Sequence, residues 1–227
     1  MSAPTKPTRR EERRAQTVRE IKQLAMEQVS QGGPDAVSLS GIVREMSMSP
    51  AALYRYFANR DALLADLVVD AYNDLADSLV AIERGRKSAG AHLDAVLRGT
   101  RGWALAHPNS YRLVFQTTIG SGEEFAADRT VPAASRSMAV VIDALAAVSG
   151  DAGIASPTLA EAFTRWRDDA GFPGYSTEVL ALAFLSWTRL HGIISLELGG
   201  HLAATGIGAE VLFEAEVEAI RARASGS

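Results

Sequence analysis

Residues 49–57 combine small, aromatic and basic side chains within about two helical turns. An arginine can bind a phosphate or a guanine edge, tyrosine hydroxyls can bind phosphates, and small methyl groups can approach thymine. The members of this segment that a packed core does not require are Ser49, Ala51, Ala52, Tyr54, Arg55 and Tyr56. Their types and spacing predict a surface that contacts double-stranded DNA. The simpler explanation is an ordinary helical hairpin whose exposed side carries these residues.

Two short helices must position this surface. Ser49 is a good N-cap and is followed by proline, so a helix is predicted to begin there and to run to residue 57. A preceding helix is predicted over residues 39–46, with Ser38 as its N-cap. Because only residues 47 and 48 separate the two helices, they must cross steeply, which is the helix-turn-helix geometry. The segment 49–57 is then the recognition helix.

The remainder of the chain also has a helical pattern. Apolar residues recur at spacings of three and four, and no segment alternates convincingly as a strand would, so the predicted fold class is all-α. Helices are predicted at residues 11–30, from Asn59 as N-cap onward, and at 89–106, 108–118, 132–148, 157–170, 177–202 and 208–223, with loops at 120–128 and 171–176.

These elements predict a small N-terminal three-helix domain and a larger C-terminal helical domain. The expected divisions are a flexible basic arm at 1–10, a helix-turn-helix domain at 11–58, a connecting helix at 59–84, the C-terminal domain at 85–223 and a disordered tail at 224–227. Residues 1–60 have 10 Lys+Arg against 6 Asp+Glu, whereas the rest have 13 against 21. A basic head on an acidic body suits an anion-binding module attached to a larger domain.

Composition excludes several classes of site. The chain of 227 residues has no cysteine, so disulfide scaffolds, thiol nucleophiles and cysteine-ligated metal sites are excluded. The first fourteen residues have no apolar core of a signal peptide, and the longest nearly apolar stretch, 179–187, is shorter than a membrane span of about 18 residues. We expect a cytoplasmic protein with no membrane partner and no cofactor.

The residues around the two short helices also carry a family resemblance. The stretch from Ser38 to Phe57, SLSGIVREMSMSPAALYRYF, continues with NRDALL at residues 59–64 and resembles the DNA-binding domain of TetR-family transcriptional regulators. Two further segments, HPNSYRLVF at 107–115 and WTRLHG at 187–192, are similar to the C-terminal domain of a TetR subgroup with a Trp-His-Gly signature.

This resemblance implies a homodimer that places two recognition helices in successive major grooves of a palindromic operator. It further implies that a small effector, bound in the C-terminal domain, changes their separation, more often in a repressor than in an activator. Tyrosines matching Tyr54 and Tyr56 and a basic residue matching Arg60 usually hold phosphates in the family. The full set of expected DNA contacts is Ser38, Ser40, Ser49, Ala51, Ala52, Tyr54, Arg55, Tyr56 and Arg60.

The sequence departs from the family pattern at three positions. Ser47 occupies a turn position that is commonly glycine, and a left-handed serine there costs on the order of 1 kcal/mol. Ala52 replaces a frequent threonine and removes a hydroxyl that could contact DNA, so the resemblance does not determine the operator sequence. Arg60 replaces a frequent lysine and keeps the charge. The basic run before the domain, which includes Lys6 and Arg9 to Arg14, either follows phosphates or is a solvated helix start, since Glu11 and Glu12 interrupt it.

The C-terminal domain offers candidates for an effector pocket and a dimer interface. Aromatic and other large residues could line a cavity between helices, although each is individually also suited to the core: Trp103, Tyr111, Phe115, Met138, Trp166, Trp187 and His191. The preponderance of apolar residues favours an apolar effector. The last two predicted helices are apolar on more than one side, which indicates that they form the homodimer interface.

Other functions fit the sequence less well. A metal site would need a third ligand beside Glu197 and His201, so none is expected. An enzyme could use His107 or His191 with Asp143 or Glu197, but no spacing enforces a catalytic arrangement, and no catalytic residue is predicted. The main alternative to a DNA-binding regulator is a helical interaction protein without sequence-specific DNA binding.

Overall fold

A computed structural model of the chain describes residues 8–115, 127–149, 157–169 and 172–226. Within these ranges the backbone forms ten α-helices and two short 3₁₀ turns, with no strand. The contacts group the chain into two compact units. The head unit comprises Met1–Ala71 and Asn109–Val131, and the body unit comprises Tyr72–Pro108 and Pro132–Ser227.

The N-terminal helices are set by side-chain caps at each start. The helices are α1 (Arg9–Gly32), α2 (Leu39–Glu45), α3 (Pro50–Tyr54) and α4 (Arg60–Val80). Ser38 and Ser49 cap α2 and α3, and the Asn59 side chain accepts from the amide of Ala62 at 2.7 Å, so all three predicted caps are confirmed. Each cap satisfies a backbone donor that would otherwise lack a partner at a helix start.

Six further helices follow along the chain. They are α5 (Ala89–Ala106), α6 (Pro108–Phe115), α7 (Ala127–Ala146), α8 (Pro157–Asp169), α9 (Thr177–Leu198) and α10 (Ala209–Ser225). The predicted bounds of α5 are confirmed at both ends. The predicted ends of α6 and α8, Thr118 and Ala170, lie outside the described residues, as does most of the loop predicted at 120–128. The last two residues of that loop, Ala127 and Asp128, are instead the first residues of α7.

Several boundaries differ from the prediction. Helix α3 ends at Tyr54, three residues before the predicted end at Phe57, and α10 continues to Ser225 with Ala224 fully buried, so the predicted disordered tail does not begin at residue 224. Helix α1 begins at Arg9, because Thr8 and Glu11 form a reciprocal capping box, and so Arg9 and Arg10 lie in a helix instead of a flexible arm. Pro132 lies inside α7 and does not start it. Helix α9 ends at Leu198, four residues early, where Gly199 follows as its C-cap. The contact-based units also assign Asn109–Val131 to the head, so the domain boundaries near 58 and 84 remain predictions.

Ion pairs along α5 tie it to the last two helices of the body unit. Arg101 forms two hydrogen bonds to Glu197 of α9, and Arg98 pairs with Glu214 of α10 at 2.6 Å. One turn earlier, the buried carboxylate of Asp94 accepts from Arg221 of α10 at 2.8 Å. Bidentate arginine–carboxylate pairs have directional geometry, so this series fixes the register of α5 against α9 and α10.

Helix α9 is the most apolar helix of the body unit. Its length and composition alone would also suit a membrane span, as those of a buried core helix often do. Eight of its residues are buried, and it packs against α5, α8 and α10. Its apolar character is therefore used in the core of the body unit.

The turn between α2 and α3 stores a small backbone strain. Ser47 has φ 51°, and it is the one non-glycine residue with positive φ in the described part of the chain. We predict that Ser47→Gly raises the free energy of unfolding by up to about 1 kcal/mol, because glycine adopts this conformation without a Cβ penalty. Urea denaturation followed by circular dichroism measures the change. Ser78→Gly, inside α4, is the control and should lower stability. Equal effects of the two changes would contradict the assignment of strain.

His191 is the buried histidine of α9, and burial lowers its pKa from 6.5 to about 4. The unfolded chain therefore binds a proton between pH 6.5 and 4 that the folded chain does not. We predict a loss of stability as the pH falls through this window, on the order of 3 kcal/mol from this group. Urea denaturation of the wild type and His191→Gln at pH 7 and pH 4.5 should give a smaller pH effect in the variant. The exposed His201→Gln should leave the wild-type effect unchanged, and parallel losses in all three proteins would refute the prediction.

Candidate nucleic-acid interface

Helix α3 fully buries one side chain and exposes most of the others. Leu53 is fully buried and Phe57, just beyond the helix, is 5% exposed. On the other side, Tyr54 is 56% exposed and Arg55 and Ala51 are also exposed. A helix of five residues that buries one leucine cannot rotate without exposing that leucine. The side chains predicted to contact DNA are therefore held facing outward.

The turn before α3 sets the direction in which it leaves α2. The amide of Ser47 donates to the carbonyl of Arg44 at 3.2 Å, and the amide of Met48 donates to Val43 at 3.1 Å. Ser49 then accepts from the amide of Ala52 at 3.2 Å and begins the new helix. These bonds close the end of α2 and start α3 within four residues, 46–49. Ser49 is exposed and Ala52 half-buried, beside the outward side of α3.

The start of α2 carries the two serines that were predicted as DNA contacts. Ser38 and Ser40 are both exposed, and their hydroxyl oxygens lie 3.0 Å apart. Ser38 also accepts from the amide of Gly41, and its own amide donates to the side chain of Gln28 at 2.8 Å. The pair is thus tied to α1 and α2 while remaining accessible. Such hydroxyls can donate to a phosphate oxygen.

Tyr56 has a partner on α1 that sequence reasoning did not identify. The guanidinium of Arg14 lies 5.0 Å from the centre of the Tyr56 ring, a cation–π contact. The same guanidinium donates to the carbonyl of Arg55 at 3.5 Å. Arg14 therefore holds the C-terminal end of the recognition segment against α1. No local sequence signal marks this contact, since the residues are 41 positions apart.

Arg60, predicted to hold a phosphate, makes several contacts within the protein. Its guanidinium donates to the carbonyls of Val37, at 3.2 Å, and Pro34, and it lies 3.1 Å from the carboxylate of Asp35. Asp61 lies 3.6 Å away on the remaining terminal nitrogen. These bonds tie the start of α4 to the turn that precedes α2. Its role toward a phosphate stays a prediction.

The seven residues predicted to bind an effector are divided between the two units. Trp103 is buried in the body unit, where its indole donates to Asp74 at 2.7 Å and its ring lies 5.5 Å from that of His107. Tyr111 is fully buried beside Phe115, and both residues belong to the head unit. Met138 is half-buried on α7. The role of these four residues toward an effector stays a prediction.

Trp166, Trp187 and His191 belong to one aromatic row on α8 and α9. The ring of Trp187 lies 5.1 Å from His191 and 5.4 Å from Phe184, which in turn lies 5.9 Å from Trp166. Phe163 and Phe172 extend the row at 6.0 and 5.4 Å from Trp166. Trp166 and Trp187 are half-buried and Phe184 between them is 36% exposed, whereas Phe163 and Phe172 are buried. Phe172 was missed because it lies outside any helix, where periodicity gives no signal.

Comparison with known proteins gives a consistent result over both parts of the chain. Residues 21–67 match the family described as bacterial regulatory proteins, tetR family, and residues 93–220 match the tetracyclin repressor-like C-terminal domain. The first match contains α2, α3 and the turn between them. The second extends from α5 into α10.

Individual relatives agree with the family matches. The HTH-type transcriptional regulators Rv1816 of Mycobacterium tuberculosis and Mb1846 of Mycobacterium bovis are each 34% identical to the chain over 207 residues, which cover 86% of both partners. The crystal structure of SCO4313, described as a regulatory protein, is 36% identical with a TM-score of 0.77 and covers 95% of this chain and 98% of its own. A tetR-family protein from Rhodococcus RHA1, 16% identical with a TM-score of 0.61 over 91% of this chain and 96% of its own, shares the fold.

The helix-turn-helix that exposes Tyr54 and Arg55 is therefore part of a fold that these relatives share, and the relatives that have assigned functions are transcription regulators. The family consists of DNA-binding regulators, which excludes the enzyme interpretation. The chain belongs to the TetR family of bacterial transcriptional regulators.

Proposed function

We propose that the protein is a dimeric repressor that binds a palindromic operator through α3 and is released by an apolar effector bound in its C-terminal domain. One observation carries the proposal: Leu53 is fully buried, while Tyr54 and Arg55 on the same short helix are exposed. A regulator of this kind acts where the chromosome lies, so we also infer a cytoplasmic location. The nine DNA-contact residues predicted from the sequence are part of this proposal.

The exposed side of α9 and α10 supports dimerisation through these helices. Leu196 and Val211 are 45% and 67% exposed, and Leu185 is also exposed. Gly192 lies on the same side of α9 as Leu185 and Leu196, and a Cβ built there would meet nothing within 4 Å. The glycine therefore does not serve close packing within one protomer. A second copy could approach α9 closely at this position, and a twofold dimer matches a palindromic site.

The aromatic row of α8 and α9 is the best-supported effector site. Half-buried rings at Trp166 and Trp187 offer apolar surface, and the low pKa of His191 keeps that imidazole neutral at pH 7. Such a lining suits an uncharged, apolar effector. An effector that binds the DNA-incompetent dimer more tightly than the DNA-competent one weakens operator affinity by the ratio of those two affinities, commonly worth about 1–3 kcal/mol. Membership of the Trp-His-Gly subgroup is part of this proposal.

Selection of bound fragments from random duplex DNA tests the proposal. The expected result is a palindromic consensus that the wild type enriches and that Tyr54→Ala does not. Tyr54 is exposed and contributes nothing to the core, so this substitution removes a surface group while the fold is preserved. If no sequence is enriched above background, the repressor proposal is refuted and a helical interaction protein is the better interpretation.

Two arginines in the interface separate DNA contact from structure. We predict that Arg55→Ala lowers operator affinity at least tenfold without changing stability, because Arg55 is exposed. Arg60→Ala should lower the free energy of unfolding by roughly 1–2 kcal/mol, because it removes the guanidinium donor from the Val37 carbonyl and one of the two donors from the Pro34 carbonyl. Fluorescence anisotropy with the selected duplex and urea denaturation measure the two quantities.

Arg60→Lys is the control for charge. An ammonium group keeps the positive charge but cannot reproduce the fork that reaches two carbonyls and a carboxylate. If Arg60 also binds a phosphate, the lysine variant should keep most of the operator affinity despite its lower stability. Equal stability of the wild type and Arg60→Ala would contradict the structural role.

A substitution at Gly192 tests the dimer. We predict that Gly192→Glu gives a folded monomer at micromolar concentration and lowers operator affinity at least tenfold, since it places a charge in the proposed interface. Size-exclusion chromatography with light scattering measures the mass. Gly102→Glu is the matched control, because Gly102 also lies in an exposed helical position where a Cβ would meet nothing within 4 Å. A Gly192→Glu protein that remains dimeric would place the interface elsewhere.

A further inference from the structure

An open groove lies between the start of α1 and the end of the recognition segment. It has a volume of about 620 Å³, and its lining includes Arg9, Arg10, Arg13, Arg14, Arg55 and Tyr56. The four α1 arginines form two rows at i and i+4, 9 with 13 and 10 with 14, so they share one broad side of the helix. Five guanidinium groups from two separate segments therefore meet in one groove.

These positive charges have no acidic partner among the residues that the structure describes. None of the five arginines forms an ion pair with a carboxylate in the described residues. Glu11, the nearest acid in sequence, accepts hydrogen bonds from the amide and hydroxyl of Thr8 at 2.7 and 2.9 Å, and these bonds lower its pKa. By contrast, Lys22 further along α1 pairs with Asp66 and Asp70 of α4. The cations of the groove are thus left for an external anion.

Two structural features hold the groove in shape. The capping box at Thr8 and Glu11 keeps Arg9 and Arg10 in a formed helix. The contact of Arg14 with the Tyr56 ring and with the Arg55 carbonyl joins α1 to the end of the recognition segment. The backbone that carries these arginines and the side chain of Arg14 are therefore ordered before any ligand arrives, which lowers the entropy lost on binding.

We propose that this groove binds the phosphodiester backbone of duplex DNA beside the bases that α3 contacts, and that it does so without reading sequence. This inference rests on the proposed function, because Arg55 and Tyr56 line the groove and also belong to the predicted DNA surface. An open, strongly basic groove that continues such a surface suits a polyanionic chain. Arg14 is a positioning residue here, whereas Arg10 and Arg13 supply charge directly.

The salt dependence of DNA binding tests the proposal. Each phosphate neutralised by a protein cation contributes about −0.9 to the slope of log K against log salt concentration. In the double variant Arg10→Ala/Arg13→Ala, the slope should become shallower by about 2 per protomer. At physiological salt, affinity should fall roughly tenfold or more. The fall should be equal for the selected duplex and for a scrambled one. Fluorescence anisotropy at several potassium chloride concentrations gives both quantities.

Arg19→Ala is the matched control. Arg19 is an exposed α1 arginine outside the groove, where it donates to Gln16, so its loss should leave the slope unchanged. Thermal melting of the double variant should match the wild type, because none of the removed groups is buried. Recovery of the slope in Arg10→Lys/Arg13→Lys would support a role for charge.

Three results would overturn the proposal. An unchanged salt slope in the folded double variant would show that the groove does not meet phosphates. A larger loss for the selected duplex than for the scrambled one would mean that these arginines read bases. Micromolar stabilisation of the wild type by inorganic tripolyphosphate, with no change in the DNA slope of the variant, would assign the groove to a free anion. If the wild type preferred no sequence, the repressor proposal would be refuted instead. The groove proposal would still be tested, because the salt slope can be measured on any duplex.

Discussion

The burial of Leu53 is the contact on which the DNA-facing surface depends. Helix α3 has five residues and too few backbone bonds to be stable alone, so its orientation comes from this leucine, the Ser49 cap and the left-handed turn at Ser47. Tyr54 and Arg55 face outward because Leu53 faces inward. The small strain at Ser47 is offset by the packing that the turn permits.

Arginine has two different roles in the chain, and its partners distinguish them. In the body unit, Arg98 and Arg101 pair with carboxylates and fix the register of α5 against α9 and α10. In the head unit, the α1 arginines of the groove have no acidic partner in the described residues, and Arg60 is used to hold backbone carbonyls. Net charge alone, −4 for the chain, conceals this division. Affinity for an anion follows from where cations are left unpaired.

Local features of the structure were predictable from the sequence, and contacts between distant segments were not. The caps at Ser38, Ser49 and Asn59 and the bounds of α5 depend on neighbouring residues, so residue type and periodicity identify them. The prediction that Pro132 starts a helix was wrong. Proline is common at the first helical position, but here a polar turn of helix precedes it. The partners of Arg60 and Arg14 lie on segments far apart in the chain, and local patterns carry no information about such contacts.

The distance between two recognition helices on DNA tests the central claim most directly, namely that a dimer presents two copies of α3 to one operator. The chain has no cysteine, so Glu45→Cys, at the exposed end of α2, introduces a single site for a spin label. Pulsed dipolar spectroscopy on the selected duplex should give one narrow distance distribution, set by a half-site spacing of about 34 Å or a longer multiple of the helical turn. Absence of a dipolar signal between labels on saturating duplex would contradict the account, because each operator would then hold a single protomer.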